Sequence, residues 1–263
     1  MMIPLRFDVL TPHQEAIVRP YLIARARERH HLVVYLSGAH AYGFPSPDSD
    51  LDLKCVHVAP TGDLVGLDRR EGGAEEMIVI DGVELDYGSN EIGDVLRGVL
   101  KGNGNYLERL LGDLVLGADD ARLAEVRPLA RAALSRRVLR HYAGFATAQR
   151  TAAIEQPTAK KLLYVLRTAR TGLHLLRTGE LVTDLTILAP IYGPDITELV
   201  ERKRTAERAR LTVDELAAWT PTLERVLAEL VGERERSPLP VEPSTAATGA
   251  LDAWLRDLRR SLW

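Results

Sequence analysis

The run from His31 to Leu36 is β-branched and aromatic, and it stops at Ser37-Gly38-Ala39-His40-Ala41-Tyr42-Gly43. After Pro45-Ser46-Pro47-Asp48-Ser49, which has to be loop or turn, a second apolar run begins around Asp50 and Asp52. Side chains alternate along a strand, so Asp50 and Asp52 share one face while Leu51 and Leu53 take the other. The pattern predicts a strand over 31–36, a short connection bracketed by Gly38 and Gly43, and a second strand over 51–58. Two carboxylates on one strand face, beside a turn, hold a divalent metal next to a phosphate economically. The chemistry this points to is phosphoryl-type transfer, most of all transfer of a nucleotidyl group.

A further acidic strand extends the pattern. Met77 to Ile80, Asp81-Gly82 and Val83 to Tyr87 predict a hairpin, because Asp-Gly favours the two-residue hairpin turn. Val83, Leu85 and Tyr87 alternate with Glu84 and Asp86, so one face is apolar and the other acidic. Glu84 or Asp86 then joins Asp50 and Asp52. Three such carboxylates suit Mg2+, which takes a few oxygen ligands from protein and the rest from water and phosphates. They can hold two ions, one lowering the pKa of an attacking hydroxyl and one neutralising the triphosphate. Gly38, the amides after it and the Ser37 hydroxyl offer a cradle for the β and γ phosphates.

The remaining chain is read more coarsely. A helix is expected over 11–30, capped at Thr11-Pro12, with Pro20 as a break or kink. Residues 62–75 lack pattern and suggest a surface segment. From Asn90 the apolar period becomes helical up to Gly102-Asn103-Gly104-Asn105, followed by a short helix or pair of turns over 107–116. Beyond that no strand is expected. Helices are anticipated over about 121–153, 158–177, 192–208, 212–231 and 250–262. The domains so drawn are 1–118, an α/β (α+β) unit with a mixed sheet and flanking helices, and 119–234, all helical. An extended linker follows at 235–249, then a terminal helix at 250–263.

With 46% hydrophobic and 27% charged residues among 263, the composition is that of an ordinary globular protein. A net charge of -3 does not by itself call for nucleic acid. One cysteine, Cys55, excludes an internal disulfide and a thiolate metal cluster. No run of apolar residues reaches membrane-spanning length and no cleavable leader is visible, so a cytoplasmic protein without membrane contact is expected. Walker and Rossmann glycine fingerprints are absent.

The turn and the paired aspartates resemble the DNA polymerase β-type nucleotidyltransferase superfamily. More narrowly, Ser37-Gly38-Ala39-His40-Ala41-Tyr42-Gly43 with Ser49-Asp50-Leu51-Asp52 resembles bacterial nucleotidyltransferases associated with RNA repair. Leu100-Lys101-Gly102-Asn103-Gly104-Asn105-Tyr106-Leu107-Glu108 and Lys160-Lys161-Leu162-Leu163-Tyr164-Val165-Leu166-Arg167 resemble two further segments of that group. The resemblance implies Asp50 and Asp52 as the metal pair, Asp86 ahead of Glu84 as third carboxylate, and Ser37 and Gly38 as the phosphate turn. It implies two Mg2+ ions, or Mn2+. Two departures stand out: Ser-Gly replaces the commoner Gly-Ser order, and Gly104 stands where proline is frequent.

Around that core, His40 and Tyr42 follow the turn and are candidates for phosphate contact. Asn103 and Asn105 flank Gly104, which suits either a helix stop with side chains capping their neighbours or a substrate-facing amide pair. Lys160, Tyr164 and Arg167 share one helix face and can meet a triphosphate or acceptor phosphate. Arg136, Arg137 and Arg140 form a basic patch that suits a phosphate backbone or simply a solvated face. The expectation is a metal-dependent enzyme that moves a nucleoside monophosphate from a nucleoside triphosphate to a hydroxyl and releases pyrophosphate. The acceptor is RNA or tRNA, otherwise a protein or small-molecule hydroxyl. The alternatives are a non-catalytic nucleotide-binding regulatory or antitoxin-like module, and an RNA-end repair polymerase.

Overall fold

A computed structural model describes residues 5–65, 67, 73–205 and 210–263. In chain order these form α1 (Pro12–Glu28), β1 (His30–Leu36), α2 (Gly38–Ala41), β2 (Leu51–Val58), α3 (Thr61–Leu64), β3 (Ala74–Ile80) and β4 (Val83–Glu91). Then come α4 (Ile92–Leu100), α5 (Gly104–Leu111), β5 (Val115–Ala118), α6 (Asp120–Ala132) and α7 (Val138–Glu155). The chain ends with α8 (Ala159–Thr178), α9 (Leu185–Tyr192), α10 (Thr197–Thr205), α11 (Val213–Gly232) and α12 (Thr245–Arg260).

The five strands make one mixed sheet in the order β3-β4-β2-β1-β5. β2 runs antiparallel to β1 but parallel to β4. Alternation sends Leu51, Leu53, Cys55, Leu85 and Tyr87 to one side, where they pack with Ile17, Val18 and Leu22 of α1. That buried face carries α1 straight through Pro20, so the proline does not break the helix. A Thr11–Gln14 capping box with Pro12 in the first turn starts it, as the sequence suggests.

The opposite face looks toward α4, α5 and the later helices. One apolar cluster continues from Val33, Tyr35 and Val56 of the sheet to Leu163 of α8, Leu230 of α11 and Leu251 of α12. The sheet and the helices therefore share a core.

Several elements differ from the sequence reading, each for a tertiary reason. β5 replaces the end of the helix expected over 107–116, because Gly112 packs on the Tyr35 ring and Val115–Ala118 pair with β1. The long helix expected over 121–153 is split. Between α6 and α7 the Arg136 amide donates to Pro240, and its guanidinium donates to the Ser237 and Leu239 carbonyls. The helix expected over 192–208 gives way to α9 and α10, with Gly193-Pro194 between them, and 206–208 fall outside the described residues. Ser244 caps α12, so the helix starts inside the stretch expected to be extended. The surface segment expected over 62–75 lies, at 66 and 68–72, outside the described residues. Among the described residues no helix is long and apolar enough to cross a membrane.

Candidate active site

The parallel pairing of β2 and β4 fixes the centre. Asp52 stands level with Asp86, and Lys54 with Gly88. Asp50 lies one residue before β2, and Glu84 two before Asp86, on the same face by alternation. This face is the one turned toward the helices.

Gly38 closes over the pair. Its backbone adopts φ +63, and a Cβ built on it would lie 1.8 Å from Asp52 Oδ2. The Ser37 amide donates to the Asp52 carbonyl at 2.8 Å, which ties the turn to β2. Thr183 Oγ1 donates to the Ala41 carbonyl at 2.9 Å and the Leu185 amide to that of Tyr42 at 3.0 Å. The turn is thus braced from the helical side as well.

Burial pushes the Asp52 carboxyl up to about 6, the nearby Asp86 and Asp50 carboxylates add to the rise, and Lys54 opposes it. Lys54 Nζ donates to Asp86 Oδ1 at 2.6 Å. A hard-oxygen set of three carboxylates with a single ammonium beside it keeps net negative charge and suits Mg2+ or Mn2+. Asp50, Asp52 and Asp86 would hold such ions, although among the described residues no three acidic, histidine or cysteine side chains converge tightly enough to form a finished site. In this structure the cation at Asp86 is the Lys54 ammonium.

Two cavities meet at this floor. A smaller one of about 240 Å³ is lined by Ser37, Gly38, Tyr42, Asp52, Lys54 and Arg167, with Asn105, Arg109 and Phe145 at its walls. A larger one of about 650 Å³ is lined by Asp50, Glu84, Lys160, Lys161, Tyr164 and Arg210. Gln149 and Tyr164 belong to both, so they form one cleft. The larger part is within the size range of small-molecule sites.

Of the residues singled out from the sequence, Ser37, Gly38, Tyr42, Asp50, Asp52, Lys160, Tyr164 and Arg167 all reach this cleft. Asp86 joins through its register with Asp52. Arg167, however, is turned inward. Its Nη1 donates to Glu108 Oε1 at 2.8 Å, both side chains are 5% exposed, and its guanidinium lies 3.7 Å from the Tyr42 ring centroid. Burial disfavours its charge, but Glu108 together with the Tyr42, Tyr142 and Tyr164 hydroxyls outweighs that and raises the pKa. Tyr42 is likewise a buried wall, its hydroxyl 3.4 Å from both Ser37 Oγ and Glu108 Oε2.

His40 and Asn103 line neither cavity. His40 is half-buried, and its Nδ1 is buried without a hydrogen-bond partner. Burial and the Lys203 charge lower its pKa, which favours the neutral ring. Asn103 caps α5 by accepting from the Asn105 amide at 3.0 Å, and Asn105 is the amide at the cleft.

Lys54, Arg109, Gln149 and Arg210 were missed from the sequence. For Lys54 the signal was present, since it continues the Asp50–Asp52 alternation. The other three come from distant elements, and no local pattern marks them.

The chain matches the model of the RNA repair pathway DNA polymerase beta family over residues 17–257. The chain belongs to this family. That membership places it among the polymerase beta-like nucleotidyltransferases. It is also 29% identical over 157 residues to an uncharacterized protein of Methanocaldococcus jannaschii, across 59% of this chain and 64% of that protein. The chain thus covers less than two thirds of that relative's length. A crystal structure of a nucleotidyltransferase-like protein from Exiguobacterium sibiricum overlaps 94% of this chain and 80% of its own at 11% identity, with a TM-score of 0.34.

Proposed function

We propose that this family member transfers a nucleoside monophosphate from a nucleoside triphosphate to a hydroxyl at the end of a polynucleotide, RNA before others. The observation that carries the reading is the level placement of Asp52 and Asp86 on adjacent parallel strands, beside Asp50, at the floor of a basic-walled cleft. The acceptor oxygen attacks the α-phosphorus, the bond from that phosphorus to the bridging oxygen breaks, and pyrophosphate leaves. Asp86 takes the hydroxyl proton. Asp50, Asp52 and Asp86 hold the Mg2+ or Mn2+ ions, which when bound supply Lewis-acid activation and charge neutralisation. Lys160, Lys161 and Arg210 line the part of the cleft large enough for the triphosphate. Tyr164 sets its edge, and Ser37 and Gly38 bound the phosphates nearest Asp52. A cytoplasmic setting belongs to the same reading.

The test is calorimetric titration with each nucleoside triphosphate, with and without Mg2+, on wild type and on Asp50→Ala/Asp52→Ala. It is followed by pyrophosphate release with RNA, tRNA, protein and small-molecule hydroxyls. Mg2+-dependent binding that the double variant loses supports the reading, and a folded wild type that binds no triphosphate overturns it.

One observation favours a second reading. The Lys54 ammonium 2.6 Å from Asp86 fills the place of a cation, which fits a nucleotide-binding module without turnover. Triphosphate binding with no pyrophosphate release for any acceptor would select it.

A further inference from the structure

Helix α7 joins the cleft to an arginine cluster. Phe145 is 44% exposed and lines the small cavity that holds Asp52. One turn back, His141 stacks on it with ring centroids 5.5 Å apart and planes 9° from parallel. One turn forward, Gln149 reaches both cavities. These three form one row at i, i+4, i+8.

The adjacent row is Arg140, Gly144 and Ala148, all exposed. Nothing lies within 4 Å of the place a Cβ on Gly144 would take. The two rows form a shallow open floor with a flat aromatic wall.

Beyond the floor, Arg136, Arg137, Arg140 and Arg234 line a cavity of about 500 Å³ with Glu235 and Glu242. Arg136 and Arg234 pair with Glu235, and Arg137 with Glu242. Among the described residues Arg140 has no such pair. It sits about 7.5 Å along the helix axis from Phe145, on the side away from Gln149.

We propose that this face of α7 seats the single-stranded end of a polynucleotide, a base stacking on Phe145 and a phosphate meeting Arg140. The placement of its terminal hydroxyl at the Asp52 cavity rests on the nucleotidyl-transfer reading. Phosphates of an incoming triphosphate have to reach the carboxylates. A base on Phe145 with one phosphate at Arg140 and a reacting end at Asp52 needs phosphate linkage on the far side as well, which only a chain provides. Base stacking on an aromatic with an arginine on the backbone is the usual means of holding a single strand.

Fluorescence anisotropy with fluorescein-labelled oligoadenylate, in ribo and deoxy forms, tests this across a salt series without triphosphate. Wild type binds, more weakly as salt rises. Phe145→Ala weakens binding about ten- to a hundredfold and Phe145→Tyr retains it. Arg140→Ala makes the log–log salt slope shallower by roughly 0.7. A preference for the ribo form names RNA, and equal binding names single strands in general; both agree with the proposal. It is overturned if wild type binds neither oligomer, or if both alanine variants bind like wild type. It is also overturned if calorimetry shows Phe145→Ala losing triphosphate affinity while oligomer binding is unchanged, because the aromatic wall then serves the incoming nucleotide. Oligomer binding that depends on both residues, with no triphosphate bound by wild type, upholds the strand path and sinks nucleotidyl transfer alone.

Discussion

Gly38 and Asp52 compete for the same space: the carboxylate fills the position where a side chain on residue 38 would begin, with 1.8 Å between Oδ2 and a Cβ built there. The positive φ of +63 adds strain for any other residue. Gly38→Ala is expected to cost about 1–3 kcal/mol in thermal or denaturant unfolding and to abolish Mg2+-dependent triphosphate binding. Adding Asp52→Gly removes the collision, so the double variant should lose less stability than the two single losses summed. Additive losses would show that the contact is relieved elsewhere.

The raised pKa of Asp52 has a defined sign. Its carboxyl sits near 6 when folded, against 3.8 for an ordinary aspartate, so the folded protein holds the proton more tightly than the unfolded chain. The stability this gives is present below about pH 4 and is lost as pH rises through about 6. Asp52→Asn is therefore expected to stabilise the metal-free protein at pH 7–8 by up to about 3 kcal/mol, a gain that vanishes in acid. Melting curves across pH decide this. A gain that does not change with pH would contradict it.

Lys203 of α10 is fully buried and donates to Ser46 Oγ at 2.6 Å and Ser49 Oγ at 2.8 Å. Those serines hold the loop that delivers Asp50. Lys203→Met should weaken Mg2+ binding about ten- to a hundredfold, as loss of an outer support does at metal sites. Mn2+ titration followed by electron paramagnetic resonance measures this directly, with circular dichroism to show the fold intact. Unchanged metal affinity would reduce the lysine to a packing role.

Glu108 and Arg167 stand or fall together. Arg167→Met leaves a buried carboxylate with only the Tyr42 and Tyr142 hydroxyls, each at 3.4 Å. The expected loss is about 3–5 kcal/mol, while Glu108→Leu/Arg167→Met recovers most of it. Equal destabilisation by the single and double changes would mean that the pair's charge balance is not what matters there.

The sheet and the central carboxylates were legible because alternation and turn chemistry are local. Leu51–Val58 is the strand expected, and Glu84 and Asp86 share the face that alternation gives them. What could not be read is what arrives from far along the chain. β5 has four residues, too short for a periodic signal, and only pairing with β1 makes it a strand. The break before α7 depends on carbonyls a hundred residues later. Lys160-Lys161-Leu162-Leu163-Tyr164-Val165-Leu166-Arg167 announces a polar face, but the sequence does not reveal that Glu108 turns Arg167 inward.

The clamp from α10 onto the Asp50 loop has a mechanical consequence. Pulling the helical half away from the sheet would expose a buried ammonium, detach the brace at Ala41 and Tyr42, and open the shared apolar core. Each of these resists hinge motion. The cleft is therefore held as a fixed slot rather than a jaw, and a molecule that enters it does so along its length without parting the sheet from the helices.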